Sequence, residues 1–270
     1  MQFVGQSLKT HFTKSVEILP GKGVSIPDLI GRRDIILDYA QMVSAPENPM
    51  GRPGIDPILA LSIISTGTSL TPMPHVTPRD KNSLYIRSQI RSGLMVGISH
   101  YFVIGGDPIS KDQNSKEVRE VDTMGTVSLV KSVSEKYGYK STVIGGALNP
   151  FRSNEQEIAE KKEEAGVSLF ISQMCYDPDL LKKKWISKRK FGFLYGFMPI
   201  TKKSQIDSLG RMGVSISDET RKRMESSDNL VSLSIKMAAE IMDSLKGYVD
   251  GIHIMPMGNE RLARDIMEIL

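Results

Sequence analysis

Apolar and β-branched residues gather in eight short runs along the chain, and each run stops at a glycine, a proline or a polar tip. The runs cover 15–20, 41–46, 69–76, 98–104, 141–146, 167–174, 193–199 and 251–255. Between them the spacing of apolar positions changes to the helical period. Helices are predicted over 56–65, 78–92, 122–136, 153–165, 228–247 and 259–270. Thr77 and Pro78 suit the cap and first position of the second of these. Gly166 stops the charged helix 153–165. In the helix 228–247, Val231, Ile235, Ala238, Ala239, Ile241, Met242 and Leu245 form the predicted buried stripe. Strands alternating with helices pair in parallel. Eight such units predict a single-domain α/β fold over residues 1–270, a (β/α)8 TIM barrel, with an open doubly wound sheet as the alternative. The Pro- and Gly-rich stretch 45–57 follows the second strand and is predicted to be a loop on the active-site end.

Composition narrows the picture further. The chain has 270 residues, 40% hydrophobic and 24% charged, with a net charge of +4. That is enough for one large core without disulfides or metals. The basic run 182–190 carries no nucleic-acid recognition motif, so a solvated helix end is expected and no nucleic-acid partner. Cys175 stands alone, which excludes an internal disulfide and makes a reducing, cytoplasmic setting the expectation. It sits in an apolar run and reads as a core residue. No signal-peptide pattern opens the chain, and no run of eighteen apolar residues predicts a membrane span. The histidines His11, His75, His100 and His253 show no metal-ligand spacing. A homo-oligomer is compatible with the sequence, which does not report assembly state.

Candidate chemistry sits at the strand tips. The fourth run, 98–104, is followed by Gly105, Gly106 and Asp107, so backbone can approach a ligand beside a displayed carboxylate. A turn role for Asp107 is the alternative. Glu17 lies inside the first run, where a carboxyl needs a partner or a task; burial would raise its pKa toward that of a general acid. A pair with a neighbouring lysine is the plainer reading. His75 ends the third run as a hydrogen-bonded residue or a catalyst. Gln173 is an amide in an apolar strand and needs a partner in protein or ligand. Gly145 to Pro150 repeats the glycine tip, with Asn149 in an Asn-Pro turn. Lys161 and Lys162, on the following helix, can reach a phosphate or form a solvated face. No dinucleotide fingerprint or P-loop lysine is present.

Taken in order, these pieces resemble the methylenetetrahydrofolate reductase family in its compact, catalytic-domain form, over nearly the whole chain. The resemblance rests on the Glu17 strand, on Pro74 to Thr77, and on Gly105-Gly106-Asp107. It rests also on Val121 to Gly125, on Gly146 to Pro150, on Lys161 to Gly166 with Phe170 to Gln173, and on Gly196 to Ile200. It implies a TIM barrel that binds FAD, takes hydride from NAD(P)H and reduces 5,10-methylenetetrahydrofolate to the 5-methyl form. One-carbon metabolism and methionine biosynthesis are the implied setting, with a small-molecule pterin as the substrate. It implies Glu17 as general acid, and Asp107 as a pterin contact that tunes the flavin. Gln173 is implied as a substrate contact. His75, Gly105, Gly106, Asp107, Thr123, Asn149, Lys161 and Lys162 are implied to line the FAD site. The chain departs from the family pattern at several points. Gly105 stands where arginine is frequent, Ile158 where a polar flavin contact is expected, and Pro46-Glu47-Asn48-Pro49 in place of a Tyr-Gly loop. Residues 255–259 lack a basic anchor for the folate tail, for which Arg261 or Arg264 are substitutes. These departures leave two alternatives: a tetrahydromethanopterin-like carrier or flavin-independent hydride transfer, and a non-catalytic barrel subunit.

Overall fold

Each apolar run becomes a strand because its β-branched and aromatic side chains pack on both faces of a sheet buried on both sides. In a computed structural model, which describes residues 12–20 and 23–270, the strands are β1 (Thr13–Glu17), β2 (Met42–Ala45), β3 (Thr71–Val76), β4 (His100–Val103), β5 (Val143–Leu148), β6 (Leu169–Ser172), β7 (Gly192–Phe197) and β8 (Gly251–Ile254). They pair in parallel in sequence order, and β8 returns to β1, so the sheet closes as a barrel. This is the predicted (β/α)8 architecture. His11 lies outside the described residues.

Alternation along the strands separates two cores. Met42, Met73, Phe102, Val143, Leu169, Ile171 and Leu194, one or two from each of several strands, pack together in the barrel interior. The intervening strand residues, such as Val16, Val43, Ile252 and Ile254, pack outward in a larger cluster shared with the helices. The interior also holds polar groups. Ser15 Oγ and His253 Nδ1 lie 2.8 Å apart across β1 and β8. Closure leaves little room at the seams. A Cβ on Gly196 of β7 would lie 2.1 Å from the carbonyl oxygen of Ser172 on β6. Gly196→Ala is therefore expected to destabilise the barrel by about 3 kcal/mol, since backbone must move to admit the methyl group. Urea unfolding checks this, and an unchanged midpoint would count against the observed packing of β6 on β7.

The helices are α1 (Ile26–Ile36), α2 (Pro57–Ser65), α3 (Ser83–Met95), α4 (Thr123–Lys136), α5 (Glu155–Ala165), α6 (Lys184–Ser187), α7 (Lys203–Arg211), α8 (Asp218–Glu225), α9 (Leu230–Ser244) and α10 (Glu260–Ile269). Asp56, Asp122, Asn229 and Asn259 cap α2, α4, α9 and α10 with their side chains. Two expectations are corrected. First, α3 starts at Ser83 rather than Pro78. Asn82 is the cap, accepting from the Tyr85 N–H at 3.0 Å, while the Thr77 N–H and hydroxyl are both committed to Glu47 Oε2, at 2.7 and 3.0 Å. Second, the stripe of α9 passes through Ser234 and leaves Val231 exposed. Ser234 is buried because its hydroxyl donates to the Ile200 carbonyl and accepts the Ile200 N–H, which pins the loop after β7. Among the described residues no helix is long and apolar enough to cross a membrane.

Candidate active site at the strand ends

In a parallel barrel every strand delivers its last residues to the same rim. Glu17 closes β1, His75 is the penultimate residue of β3, Gly105–Asp107 follow β4, Asn149 follows β5 and Gln173 follows β6. The fold thus brings these candidates to one end.

Glu17 is nearly buried, its side chain 13% exposed, and its Oε2 lies 3.9 Å from His75 Nε2. Burial, reinforced by the negative charge of Asp107, pushes its pKa up to about 7. Among the described residues Glu17 forms no pair with a neighbouring lysine, the plainer expectation: Lys14 instead donates to the Met267 carbonyl. His75 is buried, and desolvation, with a smaller contribution from His253, drives its pKa down to about 3. The imidazole is therefore neutral at pH 7, and the 3.9 Å approach is neither an ion pair nor a hydrogen bond. Both ring nitrogens are buried without a partner among the described residues. Its ring packs on Phe102, centroids 4.9 Å apart. Buried polar atoms of this kind are normally satisfied, so both nitrogens are open to a hydrogen bond from water or a ligand.

At the tip of β4, Gly106 adopts φ +77°, and a Cβ there would press on Thr77 and Arg79. Glycine suits the positive φ, and a side chain would also need Thr77 to give way slightly. Gly105 is open: the nearest atom to a built Cβ is the Thr123 hydroxyl oxygen at 3.8 Å. Capping by Asp122 puts Thr123 at the first position of α4, against this tip. Asp107 is exposed, and its Oδ2 accepts the Met50 N–H at 2.7 Å.

Asn149 accepts the Phe151 N–H in an Asx turn and donates its own N–H to buried Glu155. Gln173 holds the rim loosely: its Nε2 donates to the Met212 carbonyl at 3.4 Å. Lys162 is half-buried and turns in to the β5 carbonyl of Ala147 at 2.5 Å. Desolvation lowers its pKa. Lys161 does not join the site. One residue along a helix rotates the side chain by about 100°, and Lys161 points into solvent, paired with Glu157 at 2.6 Å. Ile158 is half-buried on the same helix. Of the two tail-anchor substitutes, Arg264 is paired with Asp265, while Arg261 is exposed. Cys175 is buried, its thiol pushed up to about 12 by desolvation, which agrees with a core role.

Sequence reasoning missed a buried polar cluster beside the rim. Lys81 Nζ donates to both oxygens of Glu47 at 2.7 Å and to Gln89 Oε1 at 2.6 Å, and Gln89 donates to Glu47. Arg79 is fully buried next to it. The signal was Asn82, a better cap than Thr77, which would have moved Arg79, Asp80 and Lys81 out of the helix and into the loop.

The family model described as methylenetetrahydrofolate reductase matches residues 56–270. The chain belongs to the methylenetetrahydrofolate reductase family. The match begins after β2, so it includes His75, Asp107 and Gln173 but not Glu17, whose position at the rim comes from the barrel itself. A curated relative, methylenetetrahydrofolate reductase 2 of Schizosaccharomyces pombe, is 25% identical over 218 residues, 69% of this chain and 34% of the relative. The chain thus spans about a third of that protein's length. Among solved structures, an uncharacterized protein from Clostridium thermocellum that binds two copies of 5-methyl-5,6,7,8-tetrahydrofolic acid superposes with a TM-score of 0.70 at 13% identity, covering 98% of this chain and 99% of its own. A 2,3-dimethylmalate lyase superposes at 0.55 with 9% identity, over 98% and 83%. At these identities the likeness establishes the barrel fold.

Proposed function

We propose that this protein reduces a methylene-bridged pterin, 5,10-methylenetetrahydrofolate or a close relative, to its 5-methyl form, with Glu17 as the general acid. The observation that carries this reading is the Glu17 carboxyl, buried at the rim beside Asp107 and pushed up to about 7. An acid poised there is half protonated at neutrality, where proton donation is most effective. Glu17 gives its proton to a nitrogen of the methylene bridge; the bridging C–N bond breaks and leaves an iminium carbon ready for hydride. Asp107 has one carboxylate oxygen taken by Met50 and the other available to accept from the pterin ring. Gln173, with a long bond from its Nε2 to Met212 and a local one from the Met174 N–H to its Oε1, is free to turn its amide to substrate. A non-catalytic subunit would gain nothing from burying a carboxyl beside a second negative charge.

The residues at the tips of β3, β4 and β5 fit FAD. His75 offers two ring nitrogens unpartnered among the described residues, Gly105 leaves open space against the Thr123 hydroxyl, and Gly106, Asn149 and Lys162 complete the wall. When bound, FAD supplies the hydride relay between NAD(P)H and the pterin. Lys161, directed to solvent, has no part in this reading. Lys162→Gln is expected to weaken FAD binding about tenfold, the value of one charge-assisted contact, while Lys161→Gln leaves it unchanged. Titration of flavin fluorescence checks both.

The test of the function is an absorbance spectrum with FAD and NADH under anaerobic conditions, followed by a methylene-pterin. Flavin bands that bleach with NADH and return with the pterin are expected. A second reading, hydride transfer without flavin, is favoured by Gly105 and by the outward turn of Lys161, which thin the positive charge available to a pyrophosphate. Pterin turnover without flavin uptake would select it.

A further inference from the structure

The loops after β2, β3 and β4 meet around one buried guanidinium. Arg79 is 1% exposed. Its Nε and Nη2 fork onto the Asp80 carboxylate at 2.7 and 2.5 Å. Nη1 donates to the backbone carbonyl of Asp107 at 2.6 Å, and Nη2 to that of Asn48 at 3.3 Å. The Arg79 carbonyl accepts the Val118 N–H at 2.7 Å, which ties in the segment that leads to α4. Asn48 donates to Asp80 and accepts from Gly54, closing the loop after β2 on itself. That loop then donates the Met50 N–H to the Asp107 carboxylate. Arg79, Asp107, Met50 and Asn48 form a closed ring of contacts.

The ring holds backbone that would not stay in place alone. Asn48 and Met50 adopt positive φ, 43° and 56°. Side chains other than glycine rarely tolerate this, and strained residues persist only where their surroundings over-determine them. The two loops also touch without room for a side chain. A Cβ on Gly51 would lie 2.1 Å from the Pro108 carbonyl oxygen, and the Ser110 N–H donates to Gly51. Lysine could not replace the arginine. A single ammonium cannot fork a carboxylate and still reach two carbonyls on different loops.

We propose that Arg79 is a positioning residue that sets where the Asp107 carboxylate stands relative to Glu17, by clamping the loop after β2 to the tip of β4. It rests on the reading of Asp107 as the partner of Glu17. Among the described residues, the ionisable groups that face Glu17 are His75 from β3 and Asp107 from the loop after β4, with His253 of β8 bonded to Ser15 earlier on the same strand as Glu17. Both histidines are neutral at pH 7, so Asp107 is the charge that a displaced loop would remove.

The test is amide hydrogen exchange and carboxyl titration by NMR on the full chain. Arg79→Lys should speed exchange of the Met50 amide about tenfold or more, with the Ile90 and Leu94 amides of α3 unchanged. The Glu17 titration midpoint should fall toward the ordinary carboxylate range, as it should in Asp107→Asn, and the double variant should add nothing further. If Arg79→Lys does not fold, Asp80→Asn, which keeps the guanidinium and removes its fork partner, should give the same changes at smaller size. An unmoved Met50 amide, or a uniform rise of exchange throughout the barrel, would overturn the proposal. Failure of the functional reading looks different. An unmodified protein that turns over no methylene-pterin sinks that reading, while the Met50 amide still reports the clamp.

Discussion

Glu17→Gln is expected to slow pterin reduction by about 10²–10⁴-fold while leaving FAD reduction by NAD(P)H near the unmodified rate. The range is what a positioned general acid contributes. Glutamine keeps the shape and hydrogen-bonding reach of the side chain and removes only the transferable proton. The pH dependence has a definite sign. The acid form is the active one, so the pterin half-reaction of the unmodified protein should be level below about pH 7, the Glu17 value, and fall above it. Stability should fall with rising pH as well. The ordinary glutamate value is 4.5 and the folded value is about 7. The folded state therefore holds a proton that the unfolded chain has released, and stability is lost as pH rises through that window. At pH 8 the neutral amide of Glu17→Gln avoids this cost, and the variant is expected to be more stable by about 3 kcal/mol. Loss of rate together with gain of stability marks a residue kept for chemistry. A variant that retains full pterin turnover, measured by single-turnover reoxidation, would remove Glu17 from the mechanism.

The second large effect is acid unfolding. His75, His100 and His253 are buried in the barrel, and burial drives their pKa values down to about 3, 4 and 4. Their ordinary value is 6.5. As pH falls below it, the unfolded chain takes up protons that the fold refuses, so stability is full above 6.5 and is lost on acidification toward the folded values. Full titration of each group costs on the order of 3–5 kcal/mol. Glu17 gains stability over part of the same range and offsets roughly one histidine. The remainder rivals the whole stability of an ordinary domain, about 5–15 kcal/mol. The barrel is expected to unfold at roughly pH 4–5. Urea midpoints between pH 7.5 and 4 would measure this. His100 lies at the start of β4, away from Glu17, with its Nδ1 3.1 Å from Ser99 Oγ. His100→Gln should flatten the acid slope without altering the Glu17 profile. Parallel pH curves for the two proteins would show that His100 does not carry the acid sensitivity.

Much of the site was legible because barrel strands advertise themselves locally. Each is a short apolar run with its own stop signal, and parallel closure sends every tip to one rim. Glu17, His75, Asp107, Asn149 and Gln173 could therefore be placed together before any long-range contact was known. The segment from Thr77 to Lys81 could not. Threonine followed by proline is a sound local signal for a helix start. It lost to a contact thirty residues away in sequence, in which Glu47 takes both donors of Thr77. Tertiary partners of that kind decide whether Arg79 and Lys81 lie in water or in the core.

Hydrophobic period and turn chemistry determined the fold class, the number and order of strands, and the end of the barrel that carries the chemistry, because those signals act over a few neighbouring residues. The tertiary structure alone decided the rest. It decided that Lys162 and not Lys161 turns toward β5, since that depends on the roll of α5 against the sheet. It decided that burial, more than any sequence neighbour, tunes Glu17 and His75. It decided also that the guanidinium of Arg79 joins loops that end three different strands, since desolvation and loop-to-loop contact exist only once the barrel has closed.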